Sequence, residues 1–474
     1  MWFLGIDIGT THVKVVGVTG EGTVLPAARR RTPVLEDGGY AYHDGAAVWA
    51  EVAALAGRYA RTEAAGHGPL GGAAVGGFGQ EESLAVDRHG AVVAPALGWW
   101  QTPPEAVLDD AARAYLDGPE HYAVSGMRYR AIQTPEQLAR LRLREPERWA
   151  ATRRWVDFIS YVTWRLTGRW AASSTQVTHS QLFDLATLTP HAPSLDVVGA
   201  SPDLFAEVLP PGAPVGELRA DAVPGLTPAP GAPVVMGGHD QVLAAYATAY
   251  EAPGAVFDSI GTSEYLMVRT GRYAPGPVAY EMGVDHEPAW TPGEYLLGYA
   301  IPTGKVLQLL ARLFLGGDFE RLYAAAAAEP VALPSLRLTV DDLSRAGGGL
   351  LSLAGVPGDA TPEAVVRACL DGLADTTRDA ITRMCALAAT EPASGADAAS
   401  KRAGPVSGHA AAEPPAGFAG PESVTLMGSL FRREEMVRHR RARWGIPLRR
   451  GVLDEPVATG AARLARAAVQ GGAR

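Results

Sequence analysis

The fold is decided by residues 232–267, APVVMGGHDQVLAAYATAYEAPGAVFDSIGTSEYLM. The apolar run at 233–236 predicts a buried strand that two glycines end, and the apolar stretch at 242–250 predicts a helix. Asp240 therefore lies where a strand passes into a helix. Backbone N–H groups at a helix start favour an ionised carboxylate. Asp240 is accordingly either a helix-capping residue or a functional carboxylate.

A strand, a Gly-Thr turn and a return strand occur together twice in the chain. The two copies are FLGIDIGTTHVKVVGV, residues 3–18, and VFDSIGTSEYLMV, residues 256–268. Glycine lets the backbone approach a ligand closely, and successive turn amides with hydroxyl groups suit phosphate oxygens. One such hairpin is common in sheets. Two copies so far apart predict a duplicated fold with two phosphate-binding turns that face each other.

Composition excludes several classes of protein. The 474 residues are 47% hydrophobic and 20% charged, which predicts two or more globular domains. No apolar run is long enough for a membrane span, and a net charge of −9 argues against a nucleic-acid binder. The start of the chain has no basic segment typical of a signal peptide. Cys369 and Cys385 have neither metal-site spacing nor a disulfide framework, so we expect a reduced, cytoplasmic compartment.

A second polar cluster follows a strand rich in glycine and alanine at 72–78. This strand ends in Gly79-Gln80-Glu81-Glu82, and the next hairpin ends in Trp99-Trp100-Gln101. Polar side chains at the end of such a strand are well placed to line a cleft. The alternative is that the two glutamates are solvated loop residues.

Several catalytic motifs are missing, and one segment cannot form a core. The sequence contains no G-x-x-x-x-G-K-[ST] P-loop, no H-E-x-x-H and no G-x-S-x-G. Residues 392–421 are rich in Ala, Gly, Pro and Ser and have almost no large apolar side chains. Their composition predicts a flexible insertion.

Taken together, these motifs resemble the FGGY carbohydrate kinases of the actin/hexokinase/Hsp70-like superfamily, over nearly the whole chain. The segments that carry the resemblance are GIDIGTTHVKV, RLTGRWAASSTQVTHSQLFDLATL, GGHDQ with DSIGTSEYL, and LMGSLFRREEM with EPVATGAARLA. The resemblance implies an α/β fold with two RNase H-like, actin-like ATPase domains around a central cleft. Residues 1–247 would bind the sugar, and residues 248–474 would bind most of the nucleotide.

The resemblance also implies roles for individual residues. Asp240 would be the general base, and Asp7 would hold Mg²⁺, usually through water. The substrate-binding positions would be Gln80, Glu81, Trp99, Gln101 and Asp240. The positions that bind ATP would be Gly9, Thr10, Thr11, Gly261, Thr262, Gly428 and Ser429.

The implied activity is the transfer of the γ-phosphate of ATP to a sugar or polyol hydroxyl. Phosphoryl transfer requires mainly positioning and charge neutralisation, which two Gly-Thr turns and Mg²⁺ could supply without a lysine. The chain departs from the family where Gln101 replaces an expected acid and a nearby basic residue is absent. It departs again where Gly428 stands alone in place of a glycine run.

The absence of a basic residue from the substrate motif predicts a neutral acceptor. A buried anion without a partner would be costly, so we expect a ketose such as a pentulose, or a polyol, rather than a sugar acid. The alternative is that Arg128 or Arg130 reaches the site from elsewhere in the chain.

Two other functions fit parts of the pattern. One is a catalytically weak sugar- and nucleotide-binding relative with a regulatory role, and the other is an actin-like or chaperone-type ATPase without a small substrate. For the favoured kinase we expect a small sugar or polyol and ATP as partners, with no nucleic acid and no membrane. The sequence leaves a homodimer possible.

Overall fold

The computed structural model describes residues 1–79, 81–101, 105–130, 132–251, 255–261, 263–340, 350–389 and 420–471. Two predicted site residues, Gln80 and Thr262, lie outside the described residues. So does the predicted insertion 392–421, apart from its last two residues. Within the described part of the chain, every helix is too short or too polar to cross a membrane.

The strands, in chain order, are β1 Trp2–Ile8, β2 His12–Thr19, β3 Ala28–Arg31, β4 Leu35–Asp37, β5 Tyr40–His43, β6 Leu70–Gly77, β7 Ser83–Val86, β8 Val92–Ala94, β9 Ala96–Leu97, β10 Arg154–Asp157, β11 Ala172–Ser173, β12 Phe183–Asp184, β13 Thr189–Pro190, β14 Val208–Leu209, β15 Pro214–Glu217, β16 Pro233–His239, β17 Val256–Ile260, β18 Glu264–Thr270, β19 Asp285–Pro288, β20 Tyr295–Ile301, β21 Arg337–Val340, β22 Leu351–Ala354, β23 Val424–Met427 and β24 Leu448–Arg450.

The α-helices are α1 Gly45–Arg61, α2 Asp110–Leu116, α3 Pro119–Ser125, α4 Thr134–Arg144, α5 Pro146–Ala151, α6 Phe158–Thr167, α7 Val177–Ser180, α8 Ala192–Val198, α9 Asp240–Glu251, α10 Pro277–Met282, α11 Thr303–Phe314, α12 Phe319–Ala327, α13 Pro362–Ala389, α14 Glu434–Trp444 and α15 Pro456–Gln470. Two short 3₁₀ helices are Pro202–Leu204 and Leu430–Arg432.

The chain divides into two compact units. The first comprises Met1–Glu251, His286–Glu294 and Val452–Arg474, and the second comprises Ala252–Asp285 and Tyr295–Gly451. This division differs from the predicted domains 1–247 and 248–474, because the last helix returns to the first unit.

Each unit contains a sheet with the same strand pattern. In the first unit, β3, β2 and β1 form an antiparallel meander, and β6 and β16 continue it as parallel strands. In the second unit, β20, β18 and β17 form the meander, and β23 and β24 are the parallel strands. The predicted duplication is therefore present, and in each sheet the Gly-Thr hairpin supplies the second and third strands of this pattern, β2 and β1 in the first and β18 and β17 in the second.

The first strand, β1, is buried on both faces. Leu4, Ile6 and Ile8 pack into the core formed with α1 and α6, whereas Phe3 packs with side chains of α9 and α15. Because side chains alternate along a strand, Asp7 shares the face of Phe3. Burial on both faces explains why the run FLGIDI is almost continuously apolar.

The last helix, α15, approaches β1 closely because both elements carry small residues at the contact. A Cβ atom on Gly5 would lie 1.8 Å from the carbonyl oxygen of Ala458, and one on Gly460 would lie 2.5 Å from the carbonyl oxygen of Leu243 in α9. Glycine at these two positions therefore lets α15 sit against the first sheet and against α9.

Candidate active site

Asp240 begins α9 directly after the buried strand β16. The strand is longer than predicted: its two glycines lie within it, where the pairing with β6 shifts register between Val235 and Gly238. A Cβ atom on Gly237 would lie 1.8 Å from the carbonyl oxygen of Val75. These glycines therefore form an irregularity in the strand rather than its end. The strand continues to His239, next to Asp240.

The carboxylate of Asp240 is partly accessible, with 28% of its side chain exposed. Burial raises the pKa of Asp240, although the neighbouring His239 opposes this effect. We expected the helix start to favour the ionised form, but the cost of removing the charge from water is the larger contribution. A carboxylate with a raised pKa is a better proton acceptor than a fully solvated one.

Asp240 is the accessible end of a buried chain of carboxylates and imidazoles. Its Oδ1 lies 3.2 Å from His239 Nε2, and His239 Nδ1 lies 2.8 Å from Glu287 Oε2. Glu287 Oε1 lies 3.4 Å from His179 Nε2, and His179 Nδ1 lies 2.6 Å from Glu81 Oε1. This network of side chains therefore links Asp240, the predicted base, with Glu81, a predicted sugar-contacting residue.

Opposite charges within this carboxylate–imidazole network stabilise each other. Burial alone would lower the pKa of His179, but Glu81 and Glu287 raise it well above its usual value. Burial would raise the pKa of Glu287, yet His239 and His179 lower it. The two imidazoles thus favour the charged form between their acidic neighbours. They place positive charge beside Asp240, where the GGHDQ motif contains no Arg or Lys.

The two adjacent glutamates have different environments. Glu81 contacts His179, whereas Glu82 is fully buried, with its Oε2 2.5 Å from His43 Nδ1 and its Oε1 accepting from the backbone N–H of Trp99 at 3.2 Å. Glu82 therefore anchors the hairpin that carries Trp99. The idea that both were solvated loop carboxylates is wrong, because both have buried partners.

Trp99 links this hairpin to the first Gly-Thr turn, since its indole Nε1 donates to Thr10 Oγ1 at 2.9 Å. The structure does not bring Gln101 into the carboxylate–imidazole network. Among the described residues, its hydrogen bond runs from its backbone N–H to the carbonyl of Gly98.

The first Gly-Thr hairpin places a lysine of β2 beside Asp7 of β1. Asp7 is paired across the hairpin with Lys14, and Lys14 Nζ lies 3.1 Å from Asp7 Oδ2 and 3.0 Å from Glu455 Oε2. Burial raises the pKa of Asp7 to about 6, with Lys14 opposing and Asp240 adding to the shift. Sequence reasoning gave Lys14 no role, although the hairpin register places it opposite Asp7.

The second unit brings three of the predicted nucleotide-binding residues, Gly261, Gly428 and Ser429, to one edge of its sheet. Because β17 and β23 are parallel neighbours, Gly261 and Gly428 follow them on the same side. Gly261 is exposed, and a Cβ atom there would have no neighbour within 4 Å among the residues that the structure describes. Gly428 has φ +88°, and a Cβ atom there would lie 2.3 Å from the carbonyl oxygen of Ile260. Ser429 is exposed beside it.

Sequence reasoning missed three residues of the site: His179, His239 and Glu287. His239 precedes Asp240 in the GGHDQ motif, and that position was the available indication. His179 lies in a polar stretch and Glu287 in β19, and nothing in their local sequence links them. The two cysteines are buried and not disulfide-bonded, as expected for packing residues.

Comparisons with known proteins agree with this architecture. Residues 2–247 match the model of the FGGY family of carbohydrate kinases, N-terminal domain. An L-fuculokinase of Salmonella typhi is 26% identical over 377 residues, which is 78% of each chain. Two solved structures share the fold and cover 100% of this chain. One is a "xyloylose kinase" from Brucella ovis, with 20% identity, 91% of that chain covered and a TM-score of 0.82. The other is a xylulose kinase from Rhodospirillum rubrum, with 21% identity, 90% of that chain covered and a TM-score of 0.81.

The family model spans more than half of the 474 residues. It also includes both Asp7 and Asp240, the two carboxylates that the structure places in the same unit. The chain belongs to the FGGY family of carbohydrate kinases.

Proposed function

We propose that Asp240 is the general base that removes the proton from the acceptor hydroxyl in an ATP-dependent sugar or polyol kinase. The chain is a carbohydrate kinase, an ATP-dependent phosphotransferase with an alcohol group as acceptor. The observation that carries the proposal is the position of Asp240, a partly exposed carboxylate with a raised pKa at the end of a buried charge network.

Two features of Asp240 support this role. Its carboxylate is accessible to a hydroxyl group, whereas its partners His239 and Glu287 are almost fully buried. His239 fixes the carboxylate through Oδ1, which limits the orientations that Asp240 can adopt. A positioned carboxylate accepts the proton as the hydroxyl oxygen attacks the γ-phosphate.

The proposal includes Mg²⁺ held near Asp7. Oδ1 of Asp7 is buried and has no hydrogen-bond partner among the described residues, so a carboxylate oxygen, a preferred ligand for Mg²⁺, remains available. When bound, Mg²⁺ neutralises charge on the phosphates. Lys14 of β2 lies 3.1 Å from Asp7 Oδ2, and we propose that it adds to this neutralisation.

We propose a neutral ketose or polyol as the acceptor. Three carboxylates, Glu81, Glu287 and Asp240, surround two imidazoles, so the network has no spare positive charge for a sugar acid. Arg128, one of the two alternative anion partners named with Arg130, forms a two-point contact with Asp117 at 3.1 and 2.8 Å. Relatives named L-fuculokinase and glycerol kinase have names that denote neutral acceptors.

A substrate panel tests this proposal. ADP release is measured with ketoses, polyols and the sugar acids that match them in carbon number. We expect the highest kcat/KM for a neutral ketose or polyol, because an anionic substrate would meet the carboxylate of Glu81. A higher kcat/KM for a sugar acid than for every neutral compound would contradict the substrate class. ADP release that no compound increases would contradict the kinase mechanism.

We further propose that the turn after β17 binds the triphosphate of ATP. Gly261→Val is expected to raise the dissociation constant for ATP by about 10-fold or more, since the side chain would prevent close approach of phosphate to the backbone. The folded chain has room for a side chain there, so the melting temperature should hardly change. Isothermal titration calorimetry measures the affinity.

The matched control for this variant is Gly271→Val. A Cβ atom on Gly271 would likewise have no neighbour within 4 Å in the described part of the chain, and this glycine follows β18 at the other end of the same hairpin. Equal ATP affinities for the two variants would show that the turn at Gly261 does not bind phosphate.

The cytoplasmic location and the homodimer stay predictions.

A further inference from the structure

Three buried side chains, His179, His239 and Glu287, each offer a metal-ligating atom within 4.8 Å of the other two. The nitrogens that face Glu287 are His179 Nε2, 3.4 Å from Oε1, and His239 Nδ1, 2.8 Å from Oε2. His179 Nε2 is buried, and its contact with Glu287 Oε1 is long, at 3.4 Å. We propose that these residues bind Zn²⁺, at a position separate from the Mg²⁺ assigned to Asp7.

The outer nitrogens of both imidazoles have carboxylate partners. Glu81 Oε1 lies 2.6 Å from His179 Nδ1, and Asp240 Oδ1 lies 3.2 Å from His239 Nε2. Each histidine therefore has a carboxylate on one nitrogen and Glu287 on the other. This carboxylate–histidine arrangement orients the ring and increases its basicity at metal sites.

The charge of the cluster also favours a divalent ion. Glu81, Glu287 and Asp240 bring three negative charges together, and Glu287 and both imidazoles are more than nine-tenths buried. Buried charges need compensation. Two protons on the imidazoles supply two positive charges, and one Zn²⁺ supplies the same amount. Zinc and protons are thus alternative ways to neutralise the same cluster.

The ligand types select zinc rather than magnesium. Two imidazole nitrogens and one carboxylate form the set found at open zinc sites, where the fourth position holds water or substrate. Mg²⁺ prefers oxygen ligands alone, and imidazole suits zinc and its neighbours in the first transition series.

Zinc at this point would affect the kinase reaction, and this consequence rests on the proposed function. The outer partners of the two ligating histidines are Glu81 and Asp240, the proposed sugar-contacting residue and base. An ion on the histidines holds both carboxylates against the histidine nitrogens that face away from it, so they are less free to contact the sugar. We therefore expect Zn²⁺ to lower kcat/KM for the sugar at least about 10-fold, in line with the effect of changing outer partners at metal sites.

Metal titration without sugar or ATP tests the site directly. The 474-residue chain is freed of metal and titrated with Zn²⁺ by calorimetry and with Co²⁺ by visible absorption. We expect one equivalent of either ion and the intense absorption of four-coordinate Co²⁺. His179→Gln and Glu287→Gln should each weaken Zn²⁺ binding by more than about 100-fold, because changing only outer partners already costs about 10- to 100-fold.

Two control variants separate this site from others. His89→Gln changes an exposed histidine at the turn between β7 and β8, and Asp7→Asn removes the proposed Mg²⁺ carboxylate. Both should bind Zn²⁺ like the unmodified chain.

Binding of less than one equivalent by the unmodified protein, or unchanged binding by His179→Gln and Glu287→Gln, would overturn the site. The Co²⁺ spectrum of the unmodified chain decides the matter even if a variant fails to fold. Normal turnover without zinc binding would reject this inference and leave the proposed kinase mechanism in place.

Discussion

Asp240→Asn is expected to lower kcat by about 10²- to 10⁴-fold, the usual contribution of general-base catalysis. The amide has nearly the same shape as the carboxylate but cannot accept the proton of the acceptor hydroxyl. Because Asp240 is not one of the proposed phosphate-binding residues, the dissociation constant for ATP should change little. Steady-state kinetics with the best substrate from the panel measures kcat, and calorimetry measures ATP binding.

The control for this variant is Asp110→Asn. Asp110 is also the first residue of a helix, but 98% of its side chain is exposed. If Asp240 acted only at the start of its helix, both variants would lose a similar, small amount of stability and neither would lose turnover. Near-normal kcat for Asp240→Asn would therefore reject its role as base.

Gly5→Val is expected to lower the free energy of unfolding by about 3 kcal/mol or more, at the upper end of the effects of overpacking. A Cβ atom at Gly5 would lie 1.8 Å from the Ala458 carbonyl oxygen and 2.6 Å from the Ala462 backbone nitrogen. These are backbone atoms of α15, so relief requires the whole helix to move away from β1. The midpoint of urea denaturation measures the loss.

Gly20→Val provides the comparison for Gly5→Val. Gly20 follows β2 of the same sheet, and the nearest atom to its Cβ position, the carbonyl oxygen of Met1, lies 3.7 Å away. This variant should denature within about 0.5 kcal/mol of the unmodified chain, as surface substitutions usually do. Equal midpoints for the two variants would mean that α15 does not pack on β1 as described. Failure of Gly5→Val alone to fold is the extreme form of the expected result.

The sequence was sufficient to predict the duplicated hairpins and the position of Asp240. Both depend on short-range patterns: a strand that is buried on both faces is a continuous apolar run, glycine permits the tight turn, and a helix pattern begins directly after the next strand. The family resemblance then indicated the fold and the kinase class, which the comparisons confirm. The roles assigned to single residues stay predictions for the experiments above.

Pairs of residues far apart in the chain could not be predicted in this way. The periodicity of a segment shows which face is buried, but it does not show which distant side chain will lie opposite. His179 meets Glu81 and Glu287 only because α7, β19 and the end of β6 come together in one unit. Glu455 likewise meets Lys14 only because α15 packs on β1.

The sequence by itself therefore determined the two Gly-Thr hairpins, the strand-to-helix position of Asp240 and the absence of a P-loop, because each is a property of neighbouring residues. Only the tertiary structure decided that the last helix joins the first unit, where small residues let α15 approach β1. The tertiary structure alone also decided that Asp240 contacts His239, which in turn contacts the buried Glu287. The physical reason is that buried charges are stabilised by whichever opposite charges packing brings near them.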